Sequence, residues 1–288
     1  MAPARGRQYC RSPALPALLN AVLDALWFSI LVKAVVTAAT VIVSAVAAER
    51  SGPFWGGLIV GLPVSAGPAY VMLAIEYDDA FLAQASLTSL AGNNGAVIFI
   101  LVLVYIAPRM SLLPSLFLAT AAWIVVAFLV RAIEWTLPMA IIIGTVVLAA
   151  TLWLTRDVQP GPPTGRTIQP RWYHLPARAA AVGFFVAGVV TLGNVIGPEA
   201  TGILSVYPVT LTSLLVLVMP RLGGQTTAAL MAGIVRSMIG FALGFIVIYL
   251  TVIPWGAALS LSAGLAVMLV WAALRLAHHS WSQRRTAS

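Results

Sequence analysis

The sequence predicts an all-α polytopic membrane protein of about nine transmembrane helices, laid out as two inverted four-helix repeats joined by a linking helix. Three observations lead there. The chain is 61% hydrophobic and only 8% charged, with a mean hydropathy of +0.99, far from the quarter charged that soluble domains carry. Its apolar runs reach the ~20 residues that cross a bilayer's hydrocarbon core. Finally, one stretch recurs at a fixed distance. Gly52-Pro53, Gly57, Pro63, Val64 and Ser65 are answered by Gly197-Pro198, Gly202, Pro208, Val209 and Thr210. The offset is constant (197 − 52 = 145; 208 − 63 = 145), which reads as internal duplication.

In chain order, residues 1–27 form a basic tail and an interfacial helix, with Asn20 and Asp24 on one helical face among leucines. The first repeat covers 28–132, with spans expected at about 28–48, 54–75, 80–107 and 112–132. Pro53 near a helix start is well placed, because its missing N–H would be unpaired there in any case. A linking span follows within 133–155, at about 136–155, and then a Pro/Arg-rich linker, 156–178. The second repeat, 179–276, resumes with spans at about 179–196, 200–219, 225–252 and 255–276, before a basic tail, 277–288.

Five spans separate equivalent points, an odd number, so the two repeats should lie in opposite orientations. Loop charge agrees. The turn after the second span is acidic in the first repeat (Glu76, Asp78, Asp79), whereas its counterpart carries Arg221. By the positive-inside rule, Arg50, Arg109, Arg156, Arg166, Arg171, Arg178, Arg221, Arg275, Arg284 and Arg285 mark the cytoplasmic face of an inner membrane. Arg131 falls on the other face. The C-terminus is then cytoplasmic; Arg5, Arg7 and Arg11, placed outside, run against the pattern.

The repeat unit resembles the small bacterial GlpM-type membrane proteins. The matching features are Lys33, Gly57-Leu58 and Leu62-Pro63-Val64-Ser65, and in the second repeat Arg178, Gly202-Ile203 and Pro208-Val209-Thr210. The resemblance covers about 100 residues twice and implies an integral inner-membrane protein built from four-span units.

Pro63 and Pro208 fall near the middle of their spans. A mid-helix proline leaves the carbonyl four residues back, on Ile59 and Leu204, without its usual donor, and in hydrocarbon that group needs another partner. Ser65 and Thr210, two residues on, are placed to bond backbone within the same kink. Interrupted helices at matching positions of inverted halves point to a midplane binding site; the plainer alternative is a kink that only shapes the bundle. The third spans are the polar ones, with Gln84, Ser86, Thr88, Ser89, Asn93 and Asn94 in one and Gln225, Thr226, Thr227, Arg236 and Ser237 in the other. Asn93 and Asn94 are candidates for a solute path, or for interhelical hydrogen bonding. Arg236, with no carboxylate at its depth in its own half, would take an anion as natural partner, unless it snorkels to the interface. Lys33 favours snorkelling, and Glu199, Asp78 and Asp79 favour helix-dipole roles.

Enzymatic signatures are missing. The single cysteine, Cys10, rules out an internal disulfide and a cysteine-rich metal site. No cleavable signal peptide is expected. His174, His278 and His279 lie in linker and tail, so no intramembrane metal cluster is expected, and there is no phosphate-cradling Gly-rich loop or close carboxylate pair within a span. The sequence reads as a secondary transporter or facilitator of a small solute with no cofactor, no nucleic acid and the bilayer as its surroundings. A homo-oligomer is compatible with it. The candidate substrate residues are Pro63, Ser65, Asn93, Asn94, Pro208, Thr210 and Arg236. The alternative is a non-transporting subunit or scaffold of an export or envelope-assembly system.

Overall fold

A computed structural model describes residues 66–158 and 174–286, with isolated positions between 28 and 39. Among these the fold is entirely helical. The helices are α1 (Ala66–Glu76), α2 (Asp79–Ile106), α3 (Leu112–Arg131), α4 (Leu137–Leu154), α5 (His174–Ser205), α6 (Val209–Val235) and α7 (Ser237–Thr286). The expected third, fourth and linking spans appear as α2, α3 and α4 within a few residues of their predicted bounds.

Each of the last three helices is interrupted once by a glycine with left-handed backbone: Gly197 (φ 79°), Gly223 (φ 81°) and Gly256 (φ 76°). A side chain would be strained there, so glycine is the residue that lets a helix stop and restart within one position. Gly256 lies just inside the last expected span, 255–276, whereas Gly197 and Gly223 fall in gaps where the sequence predicts turns between spans. The turns are thus shorter than expected, one glycine instead of several loop residues. The same device recurs at each. The hydroxyl four residues on donates to the glycine carbonyl: Thr201 to Gly197 (2.7 Å), Thr227 to Gly223 (2.8 Å) and Ser260 to Gly256 (2.8 Å). All three hydroxyl residues are buried, so each break is closed internally without water.

At Gly256 the chain doubles back. A methyl built on Gly240 would lie 2.8 Å from Trp271, one on Gly264 would lie 2.8 Å from Ile248, and one on Gly244 would overlap Met268. Those pairs are centred on residue 256 and define an antiparallel helical hairpin. The rings of Phe185 and Tyr207, 5.6 Å apart across Gly197, indicate the same reversal there. By length and apolarity four helices can cross a membrane, or five if the bent pair Val195–Ser205 and Val209–Val216 (45°) is one span. One of these, Val218–Arg275, contains Gly256, where the chain doubles back.

Helix boundaries keep the sequence offset. The N-cap of α2 is Asp78, whose Oδ1 accepts the Phe81 N–H at 2.8 Å, and its counterpart is Gly223 (223 − 78 = 145). The N-cap of α3 is Ser111, and its counterpart is Gly256 (256 − 111 = 145). Asp78 therefore has the helix-start role expected of it.

Helix α2 is the centre of the molecule and packs against every other long helix. One apolar core gathers Leu82, Leu87 and Leu90 of α2 with Tyr70, Leu73, Val186, Phe245 and Val252; the other gathers Val97, Phe99, Ile100 and Leu103 with Trp123, Leu215, Met231 and Val235. The 224–255 segment runs antiparallel to α2. Gly224, at its start, abuts the Ala107 carbonyl, and Gly256, just past its end, faces Asp79. Near the middle, Asn93 Nδ2 reaches the Met238 carbonyl at 3.5 Å. Those two positions are themselves one offset apart (238 − 93 = 145).

Close backbone approach decides which glycines matter. A Cβ on Gly202 would overlap the Ala85 carbonyl and Thr88 Oγ1, whereas one on Gly188 or Gly233 meets nothing within 4 Å. Gly202→Ala should therefore destabilise by about 1–3 kcal/mol, the cost typical of overpacking, while Gly188→Ala should be neutral or stabilising by up to ~1 kcal/mol. Thermal unfolding of the purified protein in detergent checks the ordering; equal midpoints would contradict this packing.

Candidate functional site

The polar residues of α2 divide by what they touch. Ser86 donates to Ala83 O (2.8 Å) and Thr88 to Gln84 O (3.0 Å), both within the helix. Ser89 instead reaches across. Its hydroxyl donates to the Gly202 carbonyl at 2.7 Å, lies 3.0 Å from Ser205 Oγ and 2.6 Å from the Tyr70 hydroxyl. Ser205 also donates to Gly202 O, at 2.8 Å. A serine has one proton to give, so with it committed to Gly202, Tyr70 is the donor to Ser89. Tyr70, Ser89, Ser205 and Thr201 are all buried. Three segments, α1, α2 and the 198–205 helix, are pinned together there.

The network sits beside a break. After Ser205 the helix stops, Val206 and Tyr207 turn, and α6 starts at Val209 with Pro208 (φ −80°, ψ 57°) as N-cap. The interruption expected at Pro208 is thus present. Its chemistry differs from the expectation in two respects. The Leu204 carbonyl is not left without a donor: Tyr207 N–H reaches it at 2.9 Å, because the last turn tightens. Thr210 does not bond backbone in the kink; its Oγ1, like that of Thr212, is buried with no hydrogen-bond partner among the described residues. The carbonyl that does take cross-helix bonds is Gly202's. Tyr207 itself packs edge-on to Trp123, 4.8 Å between ring centroids.

Asn93 and Asn94 are both buried. Asn93 makes the long bond to Met238 O, the interhelical role weighed from sequence. Asn94 behaves differently. Among the described residues its Nδ2 has no hydrogen-bond partner, and its Oδ1 lies 3.8 Å from where a Gly144 Cβ would stand, on the side of α4. A buried amide left unpaired costs about 1–3 kcal/mol.

Arg236 stands apart from these residues. The buried stripe of its helix is Ala228, Met231, Ala232, Val235 and Met238, and Arg236 is exposed off that stripe. Asn93, Asn94 and Arg236 therefore do not share one face. The neighbour of Arg236 is Arg275, a pairing no local sequence signal shows. Glu199, placed at a helix start by sequence, also pairs with Arg131 at 3.4 Å, at the surface. Pro63 and Ser65, like Lys33, lie outside the described residues.

Among the described residues no group of three or more His, Cys, Asp or Glu could hold a metal ion. The fold and this polar centre define an all-helical membrane protein by length and apolarity of its helices, with its buried polar groups concentrated around one central helix. No protein-family model matches the chain, no curated protein sequence matches it, and no solved structure matches its fold.

The network and the unpaired amide should respond oppositely to removal of their polar atoms. Ser89→Ala strips Tyr70 of its acceptor and should cost about 1–3 kcal/mol. Asn94→Leu removes an unpaired group at similar volume and should leave the unfolding midpoint unchanged or raised. Unfolding of both variants in one detergent tests this; a large loss for Asn94→Leu would mean its amide is satisfied.

Proposed function

We propose that the protein is a secondary transporter or facilitator of a small solute, built as two inverted four-span repeats with a linking span between them, and with its site at the repeat interface. The observation that carries this reading is the meeting of Asn93 with Met238, its own counterpart at offset 145, on helix segments that run antiparallel. Residues one repeat apart can touch only near the axis that relates the repeats. An axis between antiparallel equivalents lies in the membrane plane, which is where inverted-repeat carriers hold their substrates.

Contacts between loops support the same arrangement. Arg131 meets Glu199, Asp79 faces Gly256, and Ala107 abuts Gly224. Each contact joins ends that the loop-charge topology puts on one side of the membrane: Arg131, Asp79, Glu199 and Gly256 outside, and Arg109 and Arg221 with their neighbours inside.

The substrate-facing candidates on this reading are Asn94 and Thr210, because each presents a buried polar atom that the protein leaves unsatisfied. The break at Pro208 supplies irregular backbone beside them, and the Ser89 network anchors its N-terminal side. Arg236 is not among them, so a neutral polar solute fits these groups as well as an anion. A second reading, a non-transporting subunit or scaffold, is favoured by the dense packing around α2, where Ser86, Ser89, Asn93 and Asn94 are all buried. The inner membrane, with the C-terminus in the cytoplasm, follows from the arginine distribution.

Two experiments test the proposal. Fusions of a periplasm-active reporter after Asp79 and after Arg221 should give high and low signals respectively, and equal signals would sink the inverted arrangement. Proteoliposomes offered pooled small anions, cations and neutral metabolites should take up one class, with uptake falling at least tenfold in Asn94→Leu while insertion stays normal. Absence of any uptake would leave the scaffold reading.

A further inference from the structure

Helix α4 carries a gap in the stripe it turns toward the protein. Its buried residues are Ala140, Leu148 and Thr151. Gly144 falls on the same stripe, one turn from Ala140 and one from Leu148, and is only half-buried. Ala140 and Leu148 join the two apolar cores around α2. A methyl built on Gly144 would meet a single neighbour within 4 Å, Asn94 Oδ1 at 3.8 Å. On its other sides α2 is packed tightly at nearby levels: a methyl on Gly92 would stand 2.9 Å from Val206, and one on Gly95 3.0 Å from Trp123. The looser side of α2 there is the one in front of Gly144.

Asn94 is turned into that place. It is 5% exposed, and among the described residues its Nδ2 has no hydrogen-bond partner. An amide nitrogen can only donate, so what is missing is an acceptor. Charge narrows the choice. Asn94 lies near the middle of α2, 15 residues from Asp79 and 12 from Ile106 (94 − 79 = 15; 106 − 94 = 12). Residues 80–108, 110–130 and 135–155, which cover α2 after Asp79, α3 before Arg131 and all of α4, contain no charged side chain. Arg236 is exposed, off the buried stripe of its own helix. A carboxylate or ammonium drawn in beside Asn94 would be buried without a counter-charge, which costs far more than burying a neutral group. An uncharged acceptor suits the place; an ion does not.

We propose that the slot between Asn94 and Gly144 takes the acceptor oxygen of an uncharged solute, such as the carbonyl of an amide or a urea, so that the linking helix α4 forms one wall of the substrate site. The inference rests on the transport reading, whose substrate class it names. Asn94 Nδ2 donates to the solute oxygen. Gly144 leaves room for the group that carries that oxygen, and Ala140 and Leu148 close the slot one turn to either side. The size of residue 144 therefore sets the size of solute that fits. On the repeat reading α4 has no counterpart, so the slot occurs once in the chain.

Probes of matched shape separate charge from size: acetamide against acetate, and urea against guanidinium. Proteoliposomes of the full chain should take up acetamide and urea faster than protein-free liposomes do, with acetate and guanidinium at the protein-free rate. Asn94→Leu should lower acetamide uptake roughly tenfold, the effect of one hydrogen bond lost in a dry site. Gly144→Leu, which fills the slot, should do the same. Gly144→Ala, whose methyl meets nothing closer than 3.8 Å and so keeps the fold, should fall between it and the parent. Val146→Leu, added bulk on the exposed side of α4, should match the parent. Uptake of acetate or guanidinium equal to that of its neutral counterpart, or parent-like uptake by Asn94→Leu, would overturn this inference and leave transport standing. With no uptake of any probe the transport reading falls, and the slot is judged by binding. Acetamide should then raise the unfolding midpoint of the parent in detergent and not that of Asn94→Leu; no shift in either would mean that the slot holds only water.

Discussion

The close approach of Gly202 to the Ala85 carbonyl, sealed by the Ser89 hydroxyl, is the interaction on which the rest of the structure depends. Lipid offers no hydrogen bonds, so a broken helix can lie inside the bilayer only if protein closes its loose backbone groups. A hydroxyl on α2 can reach the broken segment because glycine lets the two backbones nearly touch. That contact fixes the 198–205 helix against α2, holds Tyr70 of α1 to the same point, and leaves the chain free to turn at Val206–Pro208 without exposing polar backbone. Small residues at helix interfaces commonly serve such approach. Here it also positions a discontinuity.

Much of the arrangement was legible in the sequence, and the reasons are physical. Uninterrupted apolar length placed α2, α3 and α4, because hydrocarbon thickness leaves few alternatives for where a span can start. Pro208 announced a break because it removes a donor wherever it stands. What could not be read were partners set by packing. Nothing local marks Ser89 as the hydroxyl that crosses between helices while Ser86 and Thr88 bond their own turns. The nearest signal is the run of small residues Ala85, Ser89 and Gly92 at helical spacing. Leu204 was expected to need an outside partner, but a tightened turn let Tyr207 serve it. The sequence around Arg236 shows only the lack of a carboxylate in its own half, whereas its actual neighbour is another arginine brought back by a single glycine.

Helix starts that lie one 145-residue offset apart are made by different means. Asp78 caps α2 with its carboxylate, while Gly223, at the matching position, begins its segment through left-handed backbone and leaves the polar work to Thr227. Ser111 and Gly256 make the same contrast. Beyond Pro208's break, the three breaks at Gly197, Gly223 and Gly256 each use glycine with a hydroxyl four residues later, so Gly-x-x-x-Ser/Thr serves there as a compact way to interrupt a helix in an apolar setting. The charged device and the uncharged one give the same geometry. They differ in how readily the turn can sink toward hydrocarbon, and an uncharged turn can sink further.

The contact between Asn93 and Met238 carries a consequence of its own. In an assembly of two identical chains, whatever lies on the twofold axis must face a copy of itself, so an asparagine there would confront an asparagine. On the repeat reading, fusing the halves into one polypeptide lifts that restriction. One side of the axis can offer an amide while the other offers a thioether side chain and a backbone carbonyl, and Asn94 can stay polar opposite a partner position, Ile239, that is not. A single chain can therefore be chemically lopsided at the centre of a geometrically even frame. A passage through such a centre need not look the same to a solute arriving from its two ends.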